Sequence, residues 1–191
     1  MKSLMGFLFG IVGLTVTVCS DGALAATECN TGPPIPGLVT PLSGKITGGV
    51  VVNAGDVCWI SGANISGGVQ VTSGGVLFAC GSTINGGVVS DGAATVIIGA
   101  EEVETCTGDV INGGVRISNT GPSEEGGPPS AAVENSAING AVHLTGNQGA
   151  IAVGGNTIKG GLFCSNNATD LDDEGNPSVV TGPIRCEFGE D

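Results

Sequence analysis

Aromatic and basic residues are scarce in this sequence, which has no tyrosine, one tryptophan and five phenylalanines in 191 residues. Since sugar-binding clefts generally use aromatic side chains as platforms, this composition disfavours a polysaccharide-degrading enzyme. Five Lys and Arg residues against eighteen Asp and Glu residues give a net charge of −13. A chain this acidic is not expected to bind nucleic acid or an anionic membrane.

Zinc and redox motifs are missing as well. His143 is the only histidine, and no two cysteines are spaced as Cys-x-x-Cys, so we expect neither a zinc site nor a redox centre. An apolar period of 3.6 residues never persists, and the 36 glycines disfavour helices. The missing helical period and the high glycine content therefore argue against helices throughout the chain.

One five-residue motif, Ile-x-Gly-Gly-Val, recurs six times with minor changes, and its isoleucines are 19, 19, 27, 27 and 20 residues apart. In most repeats a second apolar segment follows a Gly-rich turn, and both segments have the Val and Ile content of short strands. A unit of this size cannot bury its own apolar side, so stacked units must share it. The six copies are Ile46–Val50, Ile65–Val69, Ile84–Val88, Ile111–Val115, Ile138–Val142 and Ile158–Leu162.

The repeat predicts an all-β fold, namely a single-domain parallel β-helix, or β-solenoid, with about six coils of 19–27 residues. We expect it to be right-handed and capped at both ends. Equivalent strands of successive coils would pair in parallel around ladders of isoleucine and valine. We assign the motif glycines to positive φ at coil corners and to close backbone approach. The two longer steps carry acidic insertions, residues 100–106 and 121–130, which we expect to be neighbouring surface loops.

The repeat resembles those of parallel β-helix proteins in coil length, glycine turns and Val/Ile ladders. Its Ile-x-Gly-x-Val rhythm is also similar to that of bactofilins, which are polymer-forming bacterial β-helices. The resemblance covers roughly residues 43–166 and implies a fold rather than an activity. The export signal and the cysteines depart from the cytoplasmic bactofilins, so no functional residue is transferred.

The amino-terminal residues are typical of a secretory signal peptide, because Lys2 precedes a short apolar run and Ala23–Ala26 offers a cleavage site. We assign 1–26 to the signal peptide, 27–42 to an N-terminal cap segment, 43–166 to the repeats and 167–191 to an acidic tail. Retention of the apolar run as an anchor helix and lipidation of Cys19 are the alternatives. No later segment predicts a transmembrane helix, so we expect a secreted, periplasmic or cell-surface protein.

Six cysteines would remain after signal cleavage, and an even number in an exported chain indicates three disulfides. Six cysteines allow fifteen pairings, and sequence alone does not choose among them. Our hypothesis is a sequential pairing that pins the cap, one insertion and the tail. It joins Cys29 to Cys58, Cys80 to Cys106, and Cys164 to Cys186.

One candidate metal site lies in the tail, where Asp170, Asp172 and Glu174 precede Gly175. Oxygen ligands at alternate positions before a glycine indicate a calcium loop. Position 12 of that pattern is Thr181 instead of Glu, so a solvated acidic loop is the alternative. We expect no other cofactor.

A polar residue follows each repeat isoleucine, and alignment of the coils would make these residues a ladder. The ladder could bind a repetitive ligand such as a glycan, ice or a mineral, but we favour asparagine amides that hydrogen-bond between coils. Its members are Thr47, Ser66, Asn85, Asn112, Asn139 and Lys159.

Other polar residues have mostly structural interpretations. Asp56, Asp91 and Asp109 occur at different offsets from the repeat isoleucine, so they do not predict a paired-carboxylate active site. We expect His143 to face outward and Trp59 to pack in the core or cap. Asn-Ile-Ser at 64–66 and Asn-Ala-Thr at 167–169 match the N-glycosylation pattern.

The leading functional hypothesis is a non-enzymatic structural, surface or assembly protein whose partners are further copies of itself or cell-surface and matrix components. A glycan-, ice- or mineral-binding module is the second hypothesis. A polysaccharide-degrading enzyme is the third, and a deep groove that combined Asp with Arg116 or Lys159 would favour it.

Overall fold

The computed structural model describes residues 25–35, 37–99, 106–123, 128–173 and 175–189. Every regular element in these ranges is a β-strand, and all pairings between strands are parallel. The chain forms a β-solenoid of about seven turns, which confirms the predicted fold class.

Each full turn has three sides, which we name the valine face, the isoleucine face and the back face. The valine face is an eight-stranded sheet of β1 (Thr27–Glu28), β3 (Val50–Val52), β5 (Val69–Val71), β8 (Val88–Asp91), β11 (Val115–Ser118), β14 (Val142–Thr145), β17 (Leu162–Ser165) and β20 (Ile184–Arg185). The isoleucine face holds the ends of β2 (Leu42–Ile46) and β4 (Val57–Ile65), and β7 (Thr83–Ile84), β10 (Val110–Ile111), β13 (Ala137–Ile138), β16 (Thr157–Ile158) and β19 (Val179–Val180). The back face holds the starts of β2 and β4, and β6 (Val76–Cys80), β9 (Thr95–Ile98), β12 (Ala131–Val133), β15 (Ile151–Ala152) and β18 (Leu171–Asp172). Because β4 continues around a corner, the isoleucine and back faces form one twelve-stranded sheet.

Alternate side chains of each strand point into the solenoid and stack in columns, one residue per turn. On the isoleucine face the inward residues are the repeat isoleucines, which are at most 8% exposed: Ile46, Ile65, Ile84, Ile111, Ile138 and Ile158. On the valine face the inward residues are at most 2% exposed: Val50, Val69, Val88, Val115, Val142 and Leu162. The repeat motif therefore builds two of the interior columns, as predicted.

The motif glycines form the corner between the isoleucine and valine faces, where successive coils approach closely. A Cβ on Gly113 would lie 2.6 Å from the carbonyl oxygen of Gly86, and a Cβ on Gly86 would lie 2.6 Å from the backbone nitrogen of Gly68. None of the motif glycines has a positive φ, so that part of the prediction was wrong. Glycine is favoured here by the close approach of the coils and not by its backbone conformation. Positive φ occurs at the other corners, for example at Gly62 and Asn135.

The seventh turn comes from a degenerate copy of the motif, Val180-Thr-Gly-Pro-Ile184. Val180 pairs with Ile158, and Ile184 pairs with Leu162. The parallel sheets therefore continue into the segment predicted as an acidic tail, which raises the number of turns above the predicted six.

Three disulfides join Cys29 to Cys58, Cys80 to Cys106, and Cys164 to Cys186. The sequential pairing is confirmed. The first and third disulfides each tie an end coil to its neighbour, and all four of their cysteines contact the hydrophobic core. The second ties the end of β6 to Cys106, the last residue of the first insertion.

The two insertions interrupt different corners, which corrects the expectation that they leave the coils at similar points. The first separates β9 on the back face from β10 on the isoleucine face, and the second separates β11 on the valine face from β12 on the back face. On the back face, which lies between these two corners, three outward side chains form a small buried cluster with Phe78: Ile97, Ala132 and Ala152.

The predicted signal peptide lies outside the described residues, except for Ala25 and Ala26. Within the described ranges, no helix reaches the length and apolar character that a membrane crossing needs.

Candidate functional site

A column of polar side chains lies inside the corner between the back and isoleucine faces, two residues before each inward residue of the isoleucine face. We call it the inner corner ladder. In each step a side-chain oxygen accepts a hydrogen bond of 2.7–3.1 Å from the backbone N–H of the equivalent residue one coil earlier. The accepting residues are Ser82, Asp109, Ser136, Asn156 and Ser178, and the first donor is Ala63.

The inner corner ladder satisfies backbone donors that the strand pairings leave free at this corner. Four of the accepting residues are at most 2% exposed: Ser82, Asp109, Ser136 and Asn156. An unsatisfied backbone N–H at that depth would be costly. This ladder was not predicted from the sequence. A small polar residue two positions before the repeat isoleucine was the available signal.

Asp109 is the only ionisable member of the inner corner ladder. Its Oδ1 accepts the bond from Ser82, whereas its buried Oδ2 has no hydrogen-bond partner among the described residues. Burial raises the pKa of Asp109 from 3.8 to about 7, although backbone N–H groups of Ser82 and Gly99 partly offset this effect. The chain thus buries a carboxyl group where neighbouring coils use hydroxyls or amides.

A second buried ladder fills the corner between the valine and back faces in the later coils. Asn147 is fully buried, and its Oδ1 accepts from both the backbone N–H and the hydroxyl of Thr120. Its Nδ2 donates to the carbonyl of Ile117. Asn167 repeats the arrangement, because its Oδ1 accepts from the Asn147 N–H and its Nδ2 donates to Leu144. The side chain of this glycosylation sequon is therefore already used within the fold.

The polar ladder after the repeat isoleucines is exposed on the outer edge of the isoleucine face. Asn139 Nδ2 donates to Asn112 Oδ1 at 2.7 Å, and Asn112 Nδ2 donates to Asn85 Oδ1 at 2.9 Å. Asn85 continues the row with a 3.2 Å bond to Asn64. The predicted hydrogen bonding between coils is confirmed. The same row also presents aligned amides to solvent, as a repetitive binding surface would.

One column of outward side chains runs the whole length of the valine face and includes His143, which confirms the predicted outward position of that residue. The His143 and Phe163 rings stack with their centroids 4.8 Å apart. In register, the column contains Glu28, Val51, Gln70, Val89, Arg116, His143, Phe163 and Arg185. Its two ends therefore carry opposite charges.

The three aspartates considered for a paired-carboxylate active site, Asp56, Asp91 and Asp109, do not share a site in the structure. Asp109 is buried in the inner corner ladder, whereas Asp91 is exposed and accepts a hydrogen bond from Asn119. Asp56 accepts a hydrogen bond from Asn30 near the N-terminal end. Arg116 and His143 line a shallow groove of about 290 Å³, and no carboxylate is among its described lining residues.

The tail residues of the candidate calcium loop are only partly within the described ranges, because Glu174 lies outside them. Asp170 and Asp172 are both exposed and flank the buried Leu171. Asp170 lines a groove of about 440 Å³ together with Arg185 and Glu187. Among the described residues, no group of three His, Cys, Asp or Glu side chains could hold a metal ion. The calcium site therefore stays a prediction.

The C-terminal end of the rod leaves part of the interior uncovered. Ile184 continues the inward column of the valine face, yet it is 51% exposed, against 0% for Leu162 one coil earlier. Val180 ends the isoleucine column and is only partly buried. On the back face, by contrast, the backbone N–H of Leu171 donates to the carbonyl of Glu187, and that of Gly189 donates to the carbonyl of Leu171.

No protein-family model matches the chain, and neither curated proteins nor solved structures match it at a significant level. The features that bear on function are therefore those of the molecule itself, namely two buried ladders, one exposed amide row, one outward column and a partly uncovered C-terminal end.

Proposed function

We propose that the mature chain is an exported structural protein, without enzymatic activity, that assembles with itself or with other components of a cell surface or extracellular matrix. The observation that carries the proposal is the state of the two ends. Regular parallel sheets run to both ends, and among the described residues β1, β2, β19 and β20 each pair with a strand on one side only. Such unpaired edges are templates for further strand pairing.

The disulfides support an oxidising compartment for this role, because such cross-links persist mainly in exported proteins. They also support a rigid end, since two of the three lie at the terminal coils. A structural subunit that meets its neighbours through its ends benefits from end coils that do not open.

The distribution of charged groups supports a role without catalysis. Most glycoside hydrolases need two carboxyl groups within about 10 Å of each other across a substrate groove. Asp56, Asp91 and Asp109 instead each have a separate structural hydrogen bond. The inward side chains fill the rod, and the described grooves are shallow surface features.

Size-exclusion chromatography with light scattering tests the proposal on the oxidised chain that starts near Thr27, over a range of concentrations. We expect the mean mass to rise with concentration. A repeat with calcium and with chelator shows whether Asp170 and Asp172 take part. A strict monomer under all three conditions would contradict the assembly role.

Binding of a glycan, ice or mineral through the isoleucine face is the second candidate function. The exposed, aligned row of Asn85, Asn112 and Asn139 favours it. Glycan-array, ice-recrystallisation and mineral-adsorption assays should then respond to Asn112→Ala. Gln70→Ala is the matched control, because Gln70 is an exposed amide on the valine face. Equal effects of the two substitutions would exclude the amide row as the binding surface.

A further inference from the structure

Among the described residues, both ends of the solenoid have edge strands on the valine and isoleucine faces. At the N-terminal end, β1 is the edge of the valine face and β2 is the edge of the isoleucine face. At the C-terminal end, β20 and β19 are the edges of those two faces. The third side of the C-terminal end is closed, since residues 187–189 hydrogen-bond to Leu171. Edge strands of the valine and isoleucine faces are therefore present at both ends of the rod.

The registers at the two ends are also complementary. Within the rod each inward residue faces its equivalent one coil later, about 4.8 Å away. If the C-terminal end of one copy continued into the N-terminal end of another, Val180 would face Ile46, which starts the isoleucine column. Ile184 would face Thr27, which starts the corresponding column of the valine face. The half-exposed Ile184 would then be covered as Leu162 is.

The outward column adds a charge pair at the same junction. Glu28 follows Thr27 in β1, Arg185 follows Ile184 in β20, and both side chains are exposed. Continuation of the column places Arg185 beside Glu28 of the next copy as a directly opposed cross-strand pair. Opposite charges at such positions stabilise strand pairing, and like charges destabilise it.

We propose that copies of the mature chain stack head to tail, with β20 and β19 of one copy pairing in parallel with β1 and β2 of the next, and with Arg185 beside Glu28 across the junction. This inference rests on the proposed function and specifies the contact. A repeated contact between different ends does not close on itself, so it generates an open filament. A head-to-head contact would instead turn the edge strands antiparallel and lose the register that the coils share.

A charge-reversal pair tests the junction. The Arg185→Glu and Glu28→Arg variants each meet only like charges when stacked head to tail, so each alone should need at least about tenfold higher concentration to assemble than the wild type. In an equimolar mixture, contacts between unlike variants pair opposite charges at every junction. The mixture should therefore assemble near the wild-type concentration. The measurements are made at 0.15 M salt, because this salt screens the general repulsion between the acidic copies beyond about 8 Å.

Arg116→Glu is the matched control, because Arg116 lies in the same outward column but in the middle of the rod. It makes the same change of charge and should leave assembly within about twofold of wild type. Thermal unfolding by circular dichroism confirms that each variant is folded. If either charge reversal fails to fold, Arg185→Gln and Glu28→Gln provide the test, and both should weaken assembly relative to Arg116→Gln.

The possible failures are distinguishable. A wild-type chain that never assembles overturns the proposed function together with the junction. A wild-type chain that assembles while both end variants behave like Arg116→Glu overturns only the junction. Loss of assembly in both variants without recovery in the mixture also overturns the head-to-tail pairing.

Discussion

The Oδ1 atom of Asp109 lies 2.7 Å from the backbone nitrogen of Ser82, one coil earlier, and accepts its hydrogen bond. Every other acceptor in the inner corner ladder is a neutral hydroxyl or amide. Asp109 is 1% exposed, and its pKa is raised to about 7 because burial disfavours the charged form. Asn156, which lies two coils later, shows that an amide serves the same position.

The first prediction concerns the pH dependence of Asp109→Asn. Between about pH 4 and pH 7 the unfolded chain has lost the Asp109 proton while the folded chain still holds it. The unfolded state therefore binds fewer protons, and the stability of the wild type falls as pH rises through this window. The variant cannot ionise, so its stability relative to wild type should increase by on the order of a few kcal/mol from pH 4 to pH 8.

Urea unfolding at several pH values measures this difference. Asp91→Asn is the control, because it removes the same charge from an exposed side chain. A difference between Asp109→Asn and wild type that stays constant from pH 4 to pH 8 would mean that Asp109 does not titrate in this range.

The second prediction compares two asparagine ladders. Asn147→Ala should cost about 2–5 kcal/mol of unfolding free energy, because it leaves the N–H of Thr120 and the carbonyl of Ile117 buried without their partner. Asn112→Ala should cost less than about 1 kcal/mol, since water can replace its bonds to Asn85 and Asn139 at the surface. Equilibrium unfolding in urea gives both values. Similar costs for the two variants would be incompatible with the assigned difference in burial.

The third prediction concerns close approach at the glycine corner. Gly113→Ala would place a methyl group against the backbone of Gly86 and Gly87, so we expect a loss of about 1–3 kcal/mol. Ala141 is the control, because it replaces the second glycine in one copy of the motif. Ala141→Gly should change the stability by less than about 1 kcal/mol. If Gly113→Ala unfolds at the same temperature as wild type, the coils are not in close contact at this corner.

The fourth prediction is the result of disulfide mapping without reduction. Cleavage before aspartates should yield two linked species: fragments 27–55, 56–90 and 91–108 joined together, and fragment 109–169 joined to the fragment that begins at Asp173. A further cut after Phe78 separates Cys58 from Cys80 and identifies their partners. A link between the first and last fragments would contradict the sequential pairing.

The columns of the core were predictable because the motif repeats at the spacing of one coil, so any residue in it meets its own equivalents. The sequential disulfides were predictable for a related reason, since residues about one coil apart become neighbours. The seventh turn was missed because Pro183 replaces the second motif glycine and Val180 replaces the isoleucine.

The inner corner ladder was harder to predict because its members share only a position and an oxygen acceptor. Asp109 in particular follows an insertion, which hides its equivalence to Ser82 in a count along the chain. The inward direction of these side chains depends on the backbone turn that precedes them, such as the positive φ of Gly81 and Asn135. The sequence alone does not specify the conformation of that turn.

The two terminal disulfides change how the rod can lose structure. In a stack, an end unit has only one neighbour and is normally the first to fray. Cross-links from Cys29 to Cys58 and from Cys164 to Cys186 limit the chain entropy that opening an end coil releases. Amide hydrogens of the first and last coils should therefore exchange almost as slowly as those of the central coils. On reduction, exchange should accelerate at the two tips before it accelerates anywhere else.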